Sequence, residues 1–266
     1  MATHNPTLND KIFGSVAKKE ALLKTDFLRY FTRCILAGVY ITLGTAFSAH
    51  VAQNVENLAP GLGSVVFAMF FFVGLGTIVI LNAELVTSNM MYMSYGVVGK
   101  KIPWHKAALM LIVCVIGNLV GAVIISYLLG QSAAYSGLTP ESFVSVTLDH
   151  KLEKHSMGLF IEAMLANFVV NMAIVGCALI KDIAGKLIWL MFIIGMFVGL
   201  GLEHVVANFG LVALVGFGSE VHSEYFTAGY ILHNWGIDFF GNLVGGGLCL
   251  GGVYAWLNRG SENYRD

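Results

Sequence analysis

Charge is scarce in this chain. Of 266 residues only 12% are charged and 57% are hydrophobic, whereas an ordinary soluble domain carries charge on about a quarter of its residues. A water-soluble globule is thereby excluded, and a mean hydropathy of +0.75 points to a protein that crosses a membrane several times. Proline is scarce too: Pro6, Pro60, Pro103 and Pro140 are all there are. The four cysteines, Cys34, Cys114, Cys177 and Cys249, lie in apolar runs and none form a Cys-x-x-Cys pair, which argues for core thiols and against a disulfide framework or a zinc site. The first 25 residues hold Lys11, Lys18, Lys19 and Lys24 but no compact apolar core, so no secretory signal peptide is expected.

What the chain does have is long apolar runs. A helix needs about 20 apolar residues to cross the hydrocarbon layer, and candidate crossings lie near residues 31–51, 62–99, 107–129, 159–180, 187–215 and 226–257. The second and fifth are too long for one simple span and are interrupted by polar residues. Broken helices are expected there, with the freed backbone lining a cavity or buried in protein. The first interruption, "ILNAELVTSNMM" at residues 80–91, places Asn82, Glu84, Thr87, Ser88 and Asn89 where lipid would otherwise be. A carboxylate at mid-bilayer costs about 2.5–3.5 kcal/mol on insertion scales, so these groups must face one another or a cavity.

Basic residues orient the crossings. Lys and Arg crowd the N-terminal region, the second-to-third connection (Lys100, Lys101, Lys106), the fourth-to-fifth (Lys181, Lys186) and the C-terminus (Arg259, Arg265), and are absent from the first-to-second and fifth-to-sixth connections. The expectation is six crossings with both termini in the cytoplasm; Lys151 and Lys154, in the third-to-fourth connection, are the exception. The chain also repeats itself. "GNLVGAVI" at Gly117 returns as "GNLVGGGL" at Gly241, "LNAELVTSN" at Leu81 returns loosely as "LGLEHVVAN" at Leu200, and "FTRCILAG" at Phe31 weakly echoes "FIEAMLAN" at Phe160. Three crossings per repeat turn the second copy upside down, the plan of an inverted-repeat transporter with its site at the repeat interface. The domain reading is a cytoplasmic segment 1–30, a transport domain 31–258 (repeats about 31–130 and 159–258) and a cytoplasmic tail 259–266.

Together "LNAELVTSN", "MLANFVVN", "GLEHVVANF" and the closing "GNLVGGG" resemble, in order and spacing, the signature stretches of the formate/nitrite transporter family over nearly the whole chain. The resemblance implies an all-α membrane protein of the cell membrane, a homopentamer of aquaporin-like protomers each with its own pore. Its cargo would be small monovalent anions or their conjugate acids: formate, nitrite, hydrosulfide and sometimes acetate or lactate. It implies a pore histidine at His204, a loop threonine at Thr87 and a chamber-facing polar residue at Asn167. It implies a basic vestibule residue at Lys151 and apolar constrictions from Phe71, Leu75, Leu85, Val170 and Phe197. Glu203 and Asn208 would hold the broken fifth helix. Val86 stands where many members carry Phe, which implies a wider constriction.

An imidazole, with a reference pKa of about 6.5, can take and release a proton near neutral pH, so proton coupling of formate movement through His204 is expected; the bland alternative is a hydrogen-bonded structural histidine. Glu84 and Glu203 are expected to cap the broken half-helices rather than to carry protons. Glu162 and Asp238 are membrane-embedded but have no assigned place. A neutral-solute channel of the aquaporin type would share the architecture, yet neither interruption contains proline and no Asn-Pro-Ala motif is present. An intramembrane enzyme is disfavoured, because "LEHVV" lacks a second histidine at zinc-binding spacing. No cofactor, metal or nucleic-acid partner is expected; lipid and protons are.

Overall fold

The structure, a computed structural model, describes residues 6–259; of the tail 259–266 all but Arg259 lies outside the described residues. Among these it is built from helices: α1 (Leu8–Thr25), α2 (Phe27–Leu58), α3 (Gly63–Ile80, with one irregular residue at Phe71), α4 (Val86–Val98), α5 (Trp104–Gly130), α6 (Phe143–Leu152), α7 (Ser156–Leu179), α8 (Ile183–Gly199), α9 (Val205–Gly218) and α10 (Ala228–Leu257). Helices α2, α3, α5, α7 and α10 are long and apolar enough to span a membrane. Taking α3 with α4, and α8 with α9, as one broken crossing each makes six. Their outward faces are apolar, as at Leu109, Ile112 and Ile116 on α5 and Phe192 on α8.

Both breaks have the same local cause. Helix α3 is capped by Leu81, followed by Asn82 with φ 55°; α8 is capped by Leu200, followed by Gly201 with φ 66°. A left-handed residue just past a helix end reverses the chain, and Gly and Asn are the residues that tolerate it. The next-but-one amide then bonds back into the helix, Ala83 N–H to the Ile78 carbonyl (3.0 Å) and Leu202 N–H to the Phe197 carbonyl (3.4 Å). After five non-helical residues, 81–85 and 200–204, the chain re-enters helix at α4 and α9.

Two short helices lie outside the expected pattern. Helix α1 opens on a Thr7–Asp10 capping box and buries Leu8, Ile12 and Val16, one apolar face at a four-residue spacing. It lies across one end of the bundle, where Asn9 and Lys11 donate to the Asn258 and Ala178 carbonyls and Glu20 pairs with Lys106. Helix α6 takes the matching place before α7, so the repeat unit is a docking helix, a crossing, a broken crossing and a crossing: α1–α5 and then α6–α10.

The tightest helix crossings are also repeated. A Cβ at Gly121 on α5 would lie 1.9 Å from the Ile35 carbonyl oxygen on α2, and one at Gly245 on α10 would lie 1.8 Å from the Met164 carbonyl oxygen on α7. Backbone-to-backbone contact of this kind is how membrane helices pack without a hydrophobic driving force. Gly245→Val therefore has to push α10 off α7, a strain on the order of 3 kcal/mol. Thermal melting of the detergent-solubilised protein should show a large loss for Gly245→Val and none for Gly14→Ala, whose Cβ meets nothing within 4 Å. A wild-type melt for Gly245→Val would show that this crossing is not tight.

Candidate functional site: two helix breaks face to face

Helix breaks inside a membrane leave backbone groups that lipid cannot satisfy. Two buried asparagines satisfy them here. Asn118 on α5 accepts from Val86 N–H (2.9 Å) and donates to the carbonyls of Glu84 (2.9 Å) and Cys34 (2.7 Å). Asn242 on α10 accepts from Val205 N–H (3.0 Å) and donates to the carbonyls of Glu203 (2.9 Å) and Ala163 (2.7 Å). Each side chain ties a crossing, a break and the start of a half-helix together. Both belong to the repeated "GNLVG" stretch, so the repeat carried the signal, but its role depends on contacts 32 to 84 residues distant in sequence.

The two buried carboxylates do a different job from the capping expected of them. Glu84 accepts from the Lys19 ammonium of α1 and from Asn89 Nδ2 (2.9 Å). Glu203 accepts from Lys151 (3.0 Å), Lys154 (2.7 Å) and Asn208 Nδ2 (2.7 Å). In a medium of low dielectric a carboxylate gains more from an ammonium than from a neutral amide, and the asparagines have already taken the backbone amides. Lys151, expected near a vestibule, is held against Glu203 and the Leu202 carbonyl (3.4 Å). Glu162 meets Lys154, and Asp238 accepts from Asn208 Nδ2 at 2.6 Å. Lys19 and Lys154 lie outside the spanning segments. Burial opposes the charge of each, but Glu84 for Lys19, and Glu203 with Glu162 for Lys154, outweigh it and hold their pKa above the ordinary 10.5. With the folded pKa raised, the stability contributed by each lysine is complete below about pH 10.5 and lost only as pH rises through the folded value.

Between the breaks lies the pair His204 and Thr87. His204 is the N-cap of α9, and its Nδ1 accepts from Ala207 N–H at 3.2 Å. That bond assigns the ring hydrogen of the neutral imidazole to Nε2, which lies 2.8 Å from Thr87 Oγ1. Thr87 thus accepts from the histidine and keeps its own hydroxyl hydrogen to donate. Behind it, Asn167 and Asn171 donate to the Thr87 carbonyl (3.1 and 3.2 Å), and Asn167 also donates to the Asn242 carbonyl (2.8 Å) while its oxygen accepts from Asn171 (2.8 Å). Asn167 therefore braces Thr87 from behind through bonds to protein groups. Asn171 was not singled out from the sequence.

A cavity of about 10 Å³, room for about one water, is lined by Ile41, Phe71, Leu75, Leu85, Val170, Ile194, Phe197 and His204. Of the expected constriction residues only Val86 is missing; it is fully buried and committed through its N–H to Asn118. By the repeat, Ile41 pairs with Val170, Leu75 with Ile194 and Leu85 with His204, so the cavity sits on the pseudo-two-fold axis. Leu85 also lines a vestibule of about 320 Å³ on the α1 side, which gathers Lys11, Lys18, Lys19, Arg33 and Lys186 around a single acid, Glu84. On the α6 side the way is closed by rings: Phe71 lies 5.9 Å from Phe197 and 5.6 Å from Phe67, and Phe67 lies 5.5 Å from Phe143.

Comparison with known proteins agrees with this geometry. The model of the formate/nitrite transporter family matches residues 9–256. The nitrite transporter NirC of Escherichia coli (strain K12) is 28% identical over 245 residues, 92% of this chain and 89% of its own. The formate channel FocA of the same strain is 26% identical over 253 residues, 89% of this chain and 88% of its own. A solved structure of an FNT family ion channel superposes with a TM-score of 0.86 at 27% identity, covering 94% of this chain and 98% of the other.

Asn242→Leu removes one acceptor and two donor bonds at one break. At about 0.6–2 kcal/mol for each hydrogen bond within a membrane, the loss is on the order of 2–5 kcal/mol. Amide exchange of Val205 should accelerate while Val86, clamped by Asn118, stays protected; equal protection of both in the variant would remove Asn242 as the clamp.

Proposed function

This chain belongs to the formate/nitrite transporter family, and from that premise we propose that it carries small monovalent anions, formate foremost, across the cell membrane by passing them through its centre as the neutral acid. The observation that carries this reading is His204 bonded to Thr87 at 2.8 Å beside a cavity walled by apolar side chains. Taking a bare anion out of water into such walls costs many kcal/mol, while a neutral acid meets a far smaller barrier.

The steps follow from the residues. Five cations in the α1-side vestibule raise the local concentration of anion. The first turns of α4 and α9 meet at the site, and the positive ends of their dipoles favour negative charge there. A proton from water enters at His204 Nδ1, which gives up its bond from Ala207 N–H, and the Nε2 proton passes to the carboxylate oxygen, so the ring is neutral again; the Thr87 hydroxyl hydrogen is placed to bind the second oxygen. The neutral acid passes Phe71 and Phe197 and ionises again in water. The narrow cavity favours the smallest acids over acetate and lactate. Nitrite is the second reading, favoured by the similarity to NirC, and hydrosulfide is of the same charge class. The basic connections support an α1 end in the cytoplasm, and the family resemblance supports a homopentamer.

His204→Asn keeps a hydrogen-bond donor and removes the titration. In liposomes wild-type formate uptake should rise as the medium is acidified; in the variant, uptake should fall or become nearly independent of pH. Thr87→Val leaves its polar neighbour unpaired, a loss on the order of 1–3 kcal/mol, and should lower flux with the oligomer intact. Wild-type rate and pH profile in His204→Asn would return the ring to a structural role.

A further inference from the structure

The two breaks differ in their balance of charge. At the first, one carboxylate, Glu84, meets one ammonium, Lys19, and the place on α5 one turn before Asn118 is Cys114, which contacts Asn89 Nδ2 at 3.4 Å. At the second, the matching place on α10 is Asp238, one turn before Asn242, and it contacts Asn208 Nδ2. Asp238 is fully buried, and its Oδ1 has no partner among the described residues.

Counting hydrogens sharpens the point. Asn208 Nδ2 has two, yet three oxygens crowd it: Glu203 Oε2 at 2.7 Å, Asn234 Oδ1 at 3.0 Å and Asp238 Oδ2 at 2.6 Å. The charged groups facing Asp238 are Glu203 in the break, Lys151 on α6 and Lys154 in the α6–α7 connection, with Glu162 on α7 reached through Lys154; α9 contributes Asn208 and no charge. Both lysines end on Glu203 or Glu162 and neither ammonium bonds Asp238. Two cations thus face three carboxyl groups, one of them buried without a cation. A single proton settles both the hydrogen count and the charge.

We infer that Glu203 and Asp238 share one bound proton, so that the break next to His204 carries a second proton-binding site which the first break lacks. This site lies outside the pore cavity and does not depend on how the anion crosses. It puts one member of a titratable pair, Glu203, next to His204 in sequence and gives the two faces of the pore different responses to pH.

The test is infrared spectroscopy of the full-length protein in lipid at neutral pH, in H2O and D2O. The wild type should show a protonated-carboxyl C=O band that shifts in D2O. Asp238→Asn should lose a band worth one carboxylic acid per protomer, whereas His204→Asn should keep it, even if transport proves not to use His204. If Asp238→Asn does not assemble, Asp238→Cys, which copies the side chain that Cys114 puts at the matching place, gives the same readout. Absence of such a band in the wild type, or its persistence without Asp238, would overturn the inference.

Discussion

Backbone that leaves a helix inside a membrane must find its hydrogen bonds within the protein, because lipid offers none. This chain meets that demand twice with one device, an asparagine on the third crossing of each repeat whose amide reaches the break, the half-helix that follows and a neighbouring crossing. Everything functional depends on it. Only because Asn118 and Asn242 hold the breaks open can α4 and α9 begin at mid-membrane, with their first turns directed at a shared centre. The buried Glu84 and Glu203 add a second tie, fastening each break to a docking helix through lysine.

The symmetry builds the site, and the departures from symmetry give it chemistry. Ile41 and Val170, and Leu75 and Ile194, line the cavity as near equivalents. Leu85 and His204 do not: one copy supplies a wall and the other an imidazole. Thr87 faces that imidazole where its counterpart Val206 could not bond to it, and Asn167, in the place of Gly38, fixes the Thr87 carbonyl. Phe197 closes the α6 side, while its counterpart Ile78 lines the open vestibule of the α1 side. An inverted repeat left unmodified would make a symmetric apolar plug; these substitutions give it direction.

Much of this was legible in the sequence. The breaks were visible because polar residues and a carboxylate interrupted long apolar runs, and the repeat gave their pairing. Family resemblance picked out His204, Thr87 and five of the cavity residues. The docking helices were not legible: α1 is short and charged, and its significance comes from Lys19 meeting Glu84, 65 residues away. Glu203 meets Asn208 as the resemblance implied, but the lysines that Glu84 and Glu203 take in place of helix-capping amides were not legible, since which partner a buried acid takes depends on which ammonium the fold delivers. Asn118 stood in a quoted repeat, yet an asparagine in an apolar helix looks the same in sequence whether it clamps backbone or faces a pore. The left-handed Asn82 and Gly201 were a local signal for both breaks, placed just past the ends of α3 and α8.

The central claim is that anions cross this protein only after taking a proton from His204. Simultaneous recording of formate and proton movement into liposomes containing the wild-type protein, with no membrane potential imposed, addresses it most directly. One proton should accompany each formate, and the flux should not respond when a potential is then applied. Formate movement that carries net charge, follows the applied potential and leaves the internal pH unchanged would contradict the account.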